Sequence, residues 1–395
     1  MKALRFERSL PRVAAARVAG SVLPGKGAAV GPLSLEDVDP PERPSDDWVR
    51  VRPRLAGICG SDIATVDGAA SRYFEPIVSF PFTPGHEVVG ELDDGSRVVL
   101  EAVLGCVPRN VDPPCPACAR GDVGRCERVA FGDLEPGLQT GYCKDTGGGW
   151  ATALVAHPSQ LHPVPEDLSD EAAVMIEPAA CAVHAALRAW SDNGGAGVHV
   201  VVGAGTLGLL TVAALRAHAS PERVICAAKH PHQRRLATEL GADVVVEPGE
   251  LTRAVRRATR SLVIGDQLTG GADVVIDCVG SSDSIAQSLA IVRPRGHVVL
   301  CGMPATVTLD LTPLWHREVQ LSAAYAYGLE RNGERTFDLA FDLVRRYDLG
   351  RLVTATYPLA RYEDALEHAA DAGRRGAVKI AFDLREEKER ERLPA

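Results

Sequence analysis

The chain has 395 residues, of which 46% are hydrophobic and 24% charged, and at roughly 150 residues per domain this length suggests two or three domains. Its 43 Lys and Arg residues are outnumbered by 52 Asp and Glu residues, so the net charge of −9 argues against binding to nucleic acid or to an anionic membrane surface. No apolar run reaches the roughly 18 to 20 residues that span a bilayer, and the N-terminus lacks the apolar core of a signal peptide, so we expect a cytoplasmic protein.

The predicted elements change character twice along the chain. The first 165 residues are rich in Gly, Pro and short β-like runs such as 48–51, 88–92 and 97–100, which predict an irregular β-rich domain. From about residue 168, where Ser169 is a candidate helix N-cap, apolar strands alternate with helices, as in βαβ units around a parallel sheet. The alternating segments are 198–202, 207–218, 223–227, 232–240, 243–246, 273–278, 284–292 and 297–301. A strand at 319–322, helices at about 335–347 and 362–372, and a strand at 377–382 complete the predicted elements.

Candidate metal ligands come first in chain order. Cys59-Gly60-Ser61-Asp62 and Gly85-His86-Glu87 supply a thiolate, an imidazole and a carboxylate, and Glu177 lies just before a predicted helix. All three side-chain types bind zinc, and a catalytic zinc keeps one position open for substrate. Taken alone, each of these residues would more often pack in the protein interior than bind a metal.

The ten cysteines are unevenly distributed. Five of them fall between residues 106 and 143, and Cys115, Cys118 and Cys126 have the spacing C-x2-C-x7-C. In a cytosolic chain such a cluster indicates metal binding or catalysis rather than disulfides. Cys226, Cys278 and Cys301 lie in apolar strand-like runs, where cysteine is expected to act as a small buried hydrophobe.

A glycine-rich turn predicts a dinucleotide site. The strand 198–202 is followed at once by Gly203-Ala204-Gly205-Thr206-Leu207-Gly208 and then by a helix. In this context the glycines permit a tight turn, close approach of a pyrophosphate and packing of helix on strand. The phosphates would lie at the positive N-terminus of the helix. The alternative is a glycine-rich turn without a ligand.

The next strand bears on the choice of cofactor. The position that usually carries an acidic residue for the ribose 2′-hydroxyl is Ala228, followed by Lys229 and His230, so the sequence favours NADP(H) over NAD(H). Arg234 or Arg235 could assist, and the alternative is that Lys229 is a solvated surface charge and both cofactors are accepted. The predicted cofactor-binding residues are Gly203, Gly205, Thr206, Leu207, Gly208, Ala228, Lys229, His230 and Val279.

Together these motifs resemble the zinc-dependent medium-chain alcohol dehydrogenases, in the branch of the sorbitol, threonine and glucose dehydrogenases. Cys-Gly-Ser-Asp, Gly-His-Glu-x-x-Gly, Glu-Pro-Ala-Ala-Cys-Ala and Gly-x-Gly-x-x-Gly occur in that family's order, and the resemblance covers about residues 1 to 384. It implies an α/β protein with a GroES-like β-rich catalytic domain, 1–174 and 319–395, and an inserted Rossmann domain with a doubly wound parallel sheet, 175–318. It also implies an oxidoreductase that acts on a polyol, sugar or other small secondary alcohol, and a homodimer or homotetramer.

By the same resemblance, Cys59 and His86 hold a catalytic zinc, and Glu87 and Glu177 compete for the remaining protein position. Zinc acts there as a Lewis acid on the substrate oxygen, easing loss of the hydroxyl proton before hydride passes to the nicotinamide. Ser61 matches the family's proton-relay hydroxyl, with a helix-capping role as the alternative. The family often has a His three residues beyond that Ser, where this chain has Ala64, so the route of the relay stays open.

The cysteine cluster resembles the family's structural-zinc lobe, C-x2-C-x2-C-x7-C, except at its first position. Asp112 stands there, whereas Cys106 would be the equivalent cysteine if 107–114 were an insertion. The fourth ligand is therefore Cys106 or Asp112, or the zinc is absent. Structural zinc sites normally close with four ligands.

Two further questions stay open. The glycine-rich segment 128–150 is either a loop that approaches the active site or a surface elaboration. A zinc-free quinone or enone reductase of the same fold and a non-catalytic nucleotide-binding protein are the rival functions. The presence of Cys59, His86 and Glu87 disfavours both of them.

Overall fold

The computed structural model describes residues 1–189, 196–330 and 333–385. The chain divides into two compact units, Met1–Glu177 with Asp348–Ala395, and Pro178–Tyr347. The predicted domain boundaries, after residues 174 and 318, stay a prediction. None of the described helices has the length and apolar character needed to cross a membrane.

The first unit begins with short strands and short helices. Its elements up to residue 188 are β1 (Lys2–Phe6), α1 (Leu10–Val22), α2 (Gly27–Val30), β2 (Leu33–Asp37), β3 (Val49–Gly57), α3 (Gly60–Val66), β4 (Val88–Glu91), β5 (Arg97–Leu100), α4 (Pro116–Ala119), β6 (Leu154–Ala156), β7 (Leu161–Pro163), α5 (Asp170–Ala173) and α6 (Ile176–Arg188), the last of which continues into the second unit. The Ser169 hydroxyl accepts a hydrogen bond from the Ala172 amide, so the predicted N-cap is present at α5.

The second unit alternates strands and helices, as the apolar periodicity predicts. Its elements are β8 (Val198–Val202), α7 (Thr206–Ala214), β9 (Arg223–Ala227), α8 (Pro231–Glu239), β10 (Val244–Val246), α9 (Leu251–Thr259), β11 (Val263–Ile264), β12 (Gln267–Leu268), β13 (Ala272–Asp277), α10 (Ser282–Ile291), β14 (Val292–Leu300), α11 (Thr312–His316), β15 (Gln320–Ala323) and α12 (Thr336–Arg346). Six strands form a parallel sheet in the order β10-β9-β8-β13-β14-β15. This order is that of doubly wound dinucleotide-binding domains.

The chain then returns to the first unit through β16 (Val353–Tyr357), α13 (Tyr362–Ala370) and β17 (Lys379–Asp383). β17 pairs antiparallel with β3, so the last described strand lies beside one of the first in a seven-stranded, mostly antiparallel sheet of order β16-β17-β3-β4-β5-β7, with β6 also on β3. The buried side chains of Ile380 and Phe382 join Trp150 in the core of this unit. The predicted α/β class, with a β-rich domain and a Rossmann domain, is confirmed.

One element differs from the sequence prediction, and one predicted strand is present with a defined place in the sheet. α1 lies in a region that was predicted to be β-like, because its Ala- and Arg-rich sequence favours helix even though proline and glycine surround it. The strand predicted at 319–322 is β15, and it pairs in register with β14 at the edge of the parallel sheet, within the second unit.

Candidate functional site

The candidate catalytic centre begins where β3 gives way to α3. Cys59 is the residue before the first turn of α3, and its backbone amide donates a hydrogen bond to a carboxylate oxygen of Asp62 at 2.9 Å. Asp62 is 1% exposed. This local cap fixes the backbone from which the Cys59 thiol projects. It also shows that Ser61 lies inside the helix and is not its cap.

His86 and Glu87 reach the same place from the segment before β4. Gly85 has φ of +100°, and a Cβ there would lie 2.5 Å from the Trp150 ring, so only glycine lets the chain turn against this indole. His86 is 5% and Glu87 2% exposed. One donor atom from each of Cys59, His86 and Glu87 lies within 4.8 Å of the others.

Asp62 connects this group to the segment 128–150. Its Oδ1 lies 3.5 Å from His86 Nδ1 and accepts a hydrogen bond of 3.4 Å from the Tyr142 hydroxyl, which also lies 3.3 Å from Thr65 Oγ1. Burial lowers the pKa of His86, but its interactions with Asp62 and Cys59 together outweigh it and hold that pKa well above its usual value. Because a metal binds the neutral ring, metal loading would displace a proton here.

Sequence reasoning missed Asp62 and Tyr142 as parts of the site. A signal for Asp62 was present, since an acidic residue three positions after a helix-capping residue is a common cap partner. For Tyr142 the sequence offered only its place in a long glycine-rich segment.

A buried lysine was also missed. The Lys379 ammonium, on β17, forms an ion pair with Glu87 Oε2 and donates a hydrogen bond of 3.1 Å to the Ile58 carbonyl, and both charged side chains are 2% exposed. Burial lowers the pKa of Lys379, but its interactions with Glu87, Cys59 and Glu177 together outweigh it and raise that pKa, so the lysine stays charged. A lysine within Ala377-Val-Lys-Ile-Ala-Phe is the sequence signal, because a buried lysine needs a partner.

The remaining predicted residues lie around this group. Glu177, in the first turn of α6, is buried but is not one of the donors that lie within 4.8 Å of one another. Burial raises the pKa of its carboxyl to about 7. The Ser61 carbonyl accepts a hydrogen bond from Thr65, whereas the role of the Ser61 hydroxyl stays a prediction.

The chemistry of the donor set fits zinc. Thiolate, imidazole and carboxylate are its ordinary ligands, and three protein donors leave a position open. Within the described part of the chain, His86 Nδ1 and Glu87 Oε2 are buried without a hydrogen-bond partner, although each faces an opposite charge. Asp62 beside Nδ1 leaves the other ring nitrogen for a metal, as is usual for metal-binding histidines.

A second group contains only sulfur ligands. Cys106, Cys115, Cys118 and Cys126 lie within 4.8 Å of one another, and Asp112 is exposed and outside the group. Burial raises the pKa of Cys115, but hydrogen bonds from the Cys118 and Glu127 amides outweigh it and lower that pKa to about 6. Four thiols with amide donors around them are suited to a structural zinc ion.

Beside this sulfur group lies Arg109, which is fully buried. Its guanidinium donates hydrogen bonds to backbone carbonyls of a set of loop residues. These are Leu104, Phe131, Leu134, Glu135 and Gly137, at 2.5 to 3.3 Å. The Arg109 guanidinium therefore connects the backbone just before Cys106 with residues 131–137, in the segment that leads to Tyr142.

In the second unit, the glycine turn has the geometry of a dinucleotide loop. Gly203 has φ of +94°, and a Cβ on Gly208 would lie 2.0 Å from the Gly203 carbonyl oxygen, so both positions require glycine. A Cβ on Gly205, which directly precedes α7, would meet no atom within 4 Å. That open side is where a pyrophosphate can approach the helix N-terminus. Thr206 and Leu207 form the first turn of α7.

The predicted ribose region follows β9. Ala228 is buried, Lys229 is exposed, and His230 directly precedes α8. Arg234 donates hydrogen bonds to the Ala228 and Lys229 carbonyls at 3.3 and 3.0 Å and pairs with Glu247. Val279, which follows β13, is 52% exposed, and its side chain lies 2.7 Å from where a Gly203 Cβ would be.

Comparison with known proteins identifies two family regions. Residues 45–166 match the alcohol dehydrogenase GroES-like domain, and residues 206–346 match the zinc-binding dehydrogenase domain. The L-idonate 5-dehydrogenase of Vitis vinifera is 30% identical, with 85% of this chain and 88% of the relative covered. The erythritol/L-threitol dehydrogenase of Mycolicibacterium smegmatis is 32% identical, with 88% and 93% covered. A crystal structure from Sinorhizobium meliloti 1021, of a zinc-binding dehydrogenase bound to NADP, is 24% identical with a TM-score of 0.71 and coverage of 97% and 98%.

Proposed function

The chain belongs to the zinc-dependent medium-chain dehydrogenases of the sorbitol-like branch and is an NAD(P)-linked alcohol oxidoreductase, and within that activity we propose that its substrate is a polyol or a closely related secondary alcohol. The group of Cys59, His86 and Glu87 supports the zinc-dependent activity on which this proposal rests, because a zinc-free reductase or a nucleotide sensor has no need of these three donors. Relatives named for idonate and for erythritol or L-threitol favour a substrate with several hydroxyl groups.

In the proposed mechanism Cys59, His86 and Glu87 would hold the zinc ion, and Glu177 is the nearby carboxylate that would exchange with Glu87. When bound, zinc acts as a Lewis acid that lowers the pKa of the substrate hydroxyl. Asp62 orients His86, and Lys379 holds the Glu87 carboxylate in place. Ser61 takes the hydroxyl proton and passes it on toward solvent.

A substrate panel tests this proposal. The initial rates of NADP⁺ and NAD⁺ reduction should be highest with C4 to C6 polyols, and lower with β-hydroxy amino acids and simple secondary alcohols. A preference for monohydric alcohols would overturn the polyol assignment while leaving the zinc chemistry intact. Complete inactivity of the zinc-loaded protein would instead favour a non-catalytic nucleotide-binding protein.

We propose that NADP(H) is preferred. Lys229 and Arg234 lie next to Ala228, where an acidic side chain would repel a 2′-phosphate. The proposed contacts are made by Gly203, Gly205, Thr206, Leu207, Gly208, Ala228, Lys229, His230 and Val279.

Ala228→Asp should reverse the cofactor preference. A carboxylate there would repel the 2′-phosphate and accept a hydrogen bond from a free 2′-hydroxyl, so we expect the ratio of kcat/KM for NADP⁺ over NAD⁺ to fall by about 100-fold, or nearly 3 kcal/mol. Lys229→Gln is the matched control, which should raise KM for NADP⁺ and leave NAD⁺ kinetics unchanged. An unchanged ratio in Ala228→Asp would show that the ribose lies elsewhere.

We also propose a second, structural zinc ion held by Cys106, Cys115, Cys118 and Cys126. Cys106 takes the place of the family's first cysteine, and the intervening residues carry the buried Arg109, whose positive charge offsets part of the negative charge of four thiolates around a zinc ion.

Cys106→Ser should lower the bound zinc from two ions to one per chain and reduce the thermal midpoint, with the catalytic ion retained. Asp112→Asn, the matched control, should keep both ions. Metal content measured on dialysed protein decides the point. Loss of one ion from Asp112→Asn, with none lost from Cys106→Ser, would reverse the assignment.

We propose a cytoplasmic homodimer or homotetramer, on the basis of the resemblance to the family. Light scattering coupled to gel filtration would measure the mass against 41.9 kDa for one chain.

A further inference from the structure

Two cysteines outside both metal groups occupy neighbouring positions on adjacent strands. Cys278 directly follows β13 and Cys301 directly follows β14. The residues before them, Asp277 and Leu300, are register partners in the parallel sheet. The Cys301 amide donates a hydrogen bond of 2.8 Å to the Asp277 carbonyl, which belongs to this last register pair, so the two cysteines lie side by side where the ladder ends.

This placement satisfies the backbone requirement for a disulfide. Neighbouring strands lie about 4.8 Å apart, and disulfides join residues whose Cα atoms are about 4.4 to 6.8 Å apart. Asp277 and Leu300, as register partners, point to the same face of the sheet, and each cysteine is the next residue along its chain. Both thiols are free in the structure. A side-chain interaction with Cys278, together with burial, holds the pKa of Cys301 well above its usual value.

The pair lies beside the proposed nucleotide loop. Cys278 Sγ is 3.7 Å from the Thr211 hydroxyl on α7, the helix that begins at the glycine turn. A Cβ on Gly208 would lie 3.6 Å from the Cys278 Cβ. Val279, the next residue, has the side chain that would lie 2.7 Å from a Cβ on Gly203. Moving Cys278 toward Cys301 would therefore disturb the packing beneath the pyrophosphate site.

We propose that Cys278 and Cys301 form an oxidisable dithiol whose disulfide weakens dinucleotide binding. With hydrogen peroxide as the oxidant, the Cys278 thiolate attacks one peroxide oxygen, the O–O bond breaks, and one water leaves after proton uptake. The Cys301 sulfur then displaces the hydroxyl of the Cys278 sulfenic acid as a second water and loses its own proton. Two thiols and one peroxide thus give one disulfide and two waters.

The other cysteines of the second unit differ from this pair. Cys226 lies within β9, which β8 separates from β13 in the sheet, and burial raises its pKa to about 12. Cys181, on α6, is near enough to raise the pKa of Cys301 electrostatically. Its effect on that pKa is smaller than the effects of Cys278 and of burial. Cys181 is therefore the competing partner that an experiment must distinguish.

The effect on binding rests on the proposed nucleotide position, whereas formation of the disulfide does not. Ligands of doubly wound sheets bind outside the carboxyl ends of the strands, which is where both cysteines lie. Bound NADP⁺ should therefore shield Cys278 from peroxide, and the disulfide should in turn weaken NADPH binding by about 10-fold, which is about 1.4 kcal/mol.

Zinc-loaded, full-length protein is treated with hydrogen peroxide with and without saturating NADP⁺, and free thiols are then alkylated. Arg295 lies between the two cysteines, so a non-reducing tryptic digest yields Cys278 and Cys301 on separate peptides. Mass spectrometry should find these peptides linked, with two hydrogens lost, and more slowly when NADP⁺ is present. NADPH fluorescence titration should show weaker binding that dithiothreitol restores.

Variants separate the possible outcomes. Cys301→Ser should abolish the link and leave the NADPH affinity insensitive to peroxide, whereas Cys226→Ser should behave like the parent protein. A link from Cys278 to Cys181, or no link when the metal-site cysteines are already oxidised, would overturn the proposal. A Cys278–Cys301 link that forms equally fast with NADP⁺ bound would support the dithiol and overturn the proposed nucleotide position.

Discussion

Cys59→Ala is expected to abolish alcohol oxidation and to remove one zinc ion per chain. Cys59 supplies the thiolate of the group that it forms with His86 and Glu87, and no other cysteine belongs to that group among the described residues. Without the metal the hydroxyl proton must leave an unactivated alcohol. We expect kcat/KM to fall by about 1,000-fold or more, equivalent to at least about 4 kcal/mol.

Metal content and turnover must be measured on the same preparation. The ion at the four-cysteine group should remain, so zinc should fall from two ions to one. Cys226→Ala, a buried cysteine remote from both metal groups in the sequence and lying in the second unit, is the matched control and should keep both ions and full activity. Retained turnover in Cys59→Ala would contradict the zinc mechanism. Loss of both ions would show that the two sites do not load independently.

Lys379→Met is expected to give the largest loss of stability among these variants. The substitution leaves the Glu87 carboxylate charged, 2% exposed and without its cationic partner. Removing one partner of a buried ion pair costs about 3 to 5 kcal/mol, because the other charge is left uncompensated. The loss should be largest in zinc-free protein, since a metal ion at Glu87 would itself compensate the carboxylate.

Urea unfolding of zinc-free and zinc-loaded protein measures this effect. The double variant Lys379→Met/Glu87→Gln should recover most of the stability of the zinc-free protein, because the uncompensated charge is gone. Glu87→Gln alone should destabilise as well, by leaving the ammonium unpaired. If Lys379→Met unfolds at the parent midpoint without zinc, the pair contributes nothing to stability and its assignment as an anchor for Glu87 fails.

Several features were predictable because they depend on neighbours in sequence. The glycine turn at 203–208 follows from its strand and helix, and the parallel sheet follows from apolar runs that alternate with helices. The spacing of Cys115, Cys118 and Cys126 likewise fixes three members of the sulfur group within one short loop.

Other features depend on contacts between distant segments, which a single sequence does not encode locally. Lys379 and Glu87 are far apart in sequence and meet only because β17 lies on β3, which lies on β4. The choice of Cys106 rather than Asp112 depends on how the intervening residues fold around Arg109. α1 was missed because the composition of the surrounding region outweighed the local helix propensity of its Ala-rich sequence.

The place of β17 beside β3 also bears on biosynthesis. The strand that carries Lys379 is translated only after the whole of Pro178–Tyr347, so the second unit can fold as a self-contained parallel sheet while the sheet of the first still lacks β17. Domains generally fold as units during translation, N-terminal segments first. Here the N-terminal part of the first unit cannot complete its sheet until β17 is translated. Until then, the backbone groups of β3 that pair with β17 have no strand beside them. We therefore expect nascent chains stalled before residue 379 to bind dinucleotide before they can retain the catalytic zinc ion.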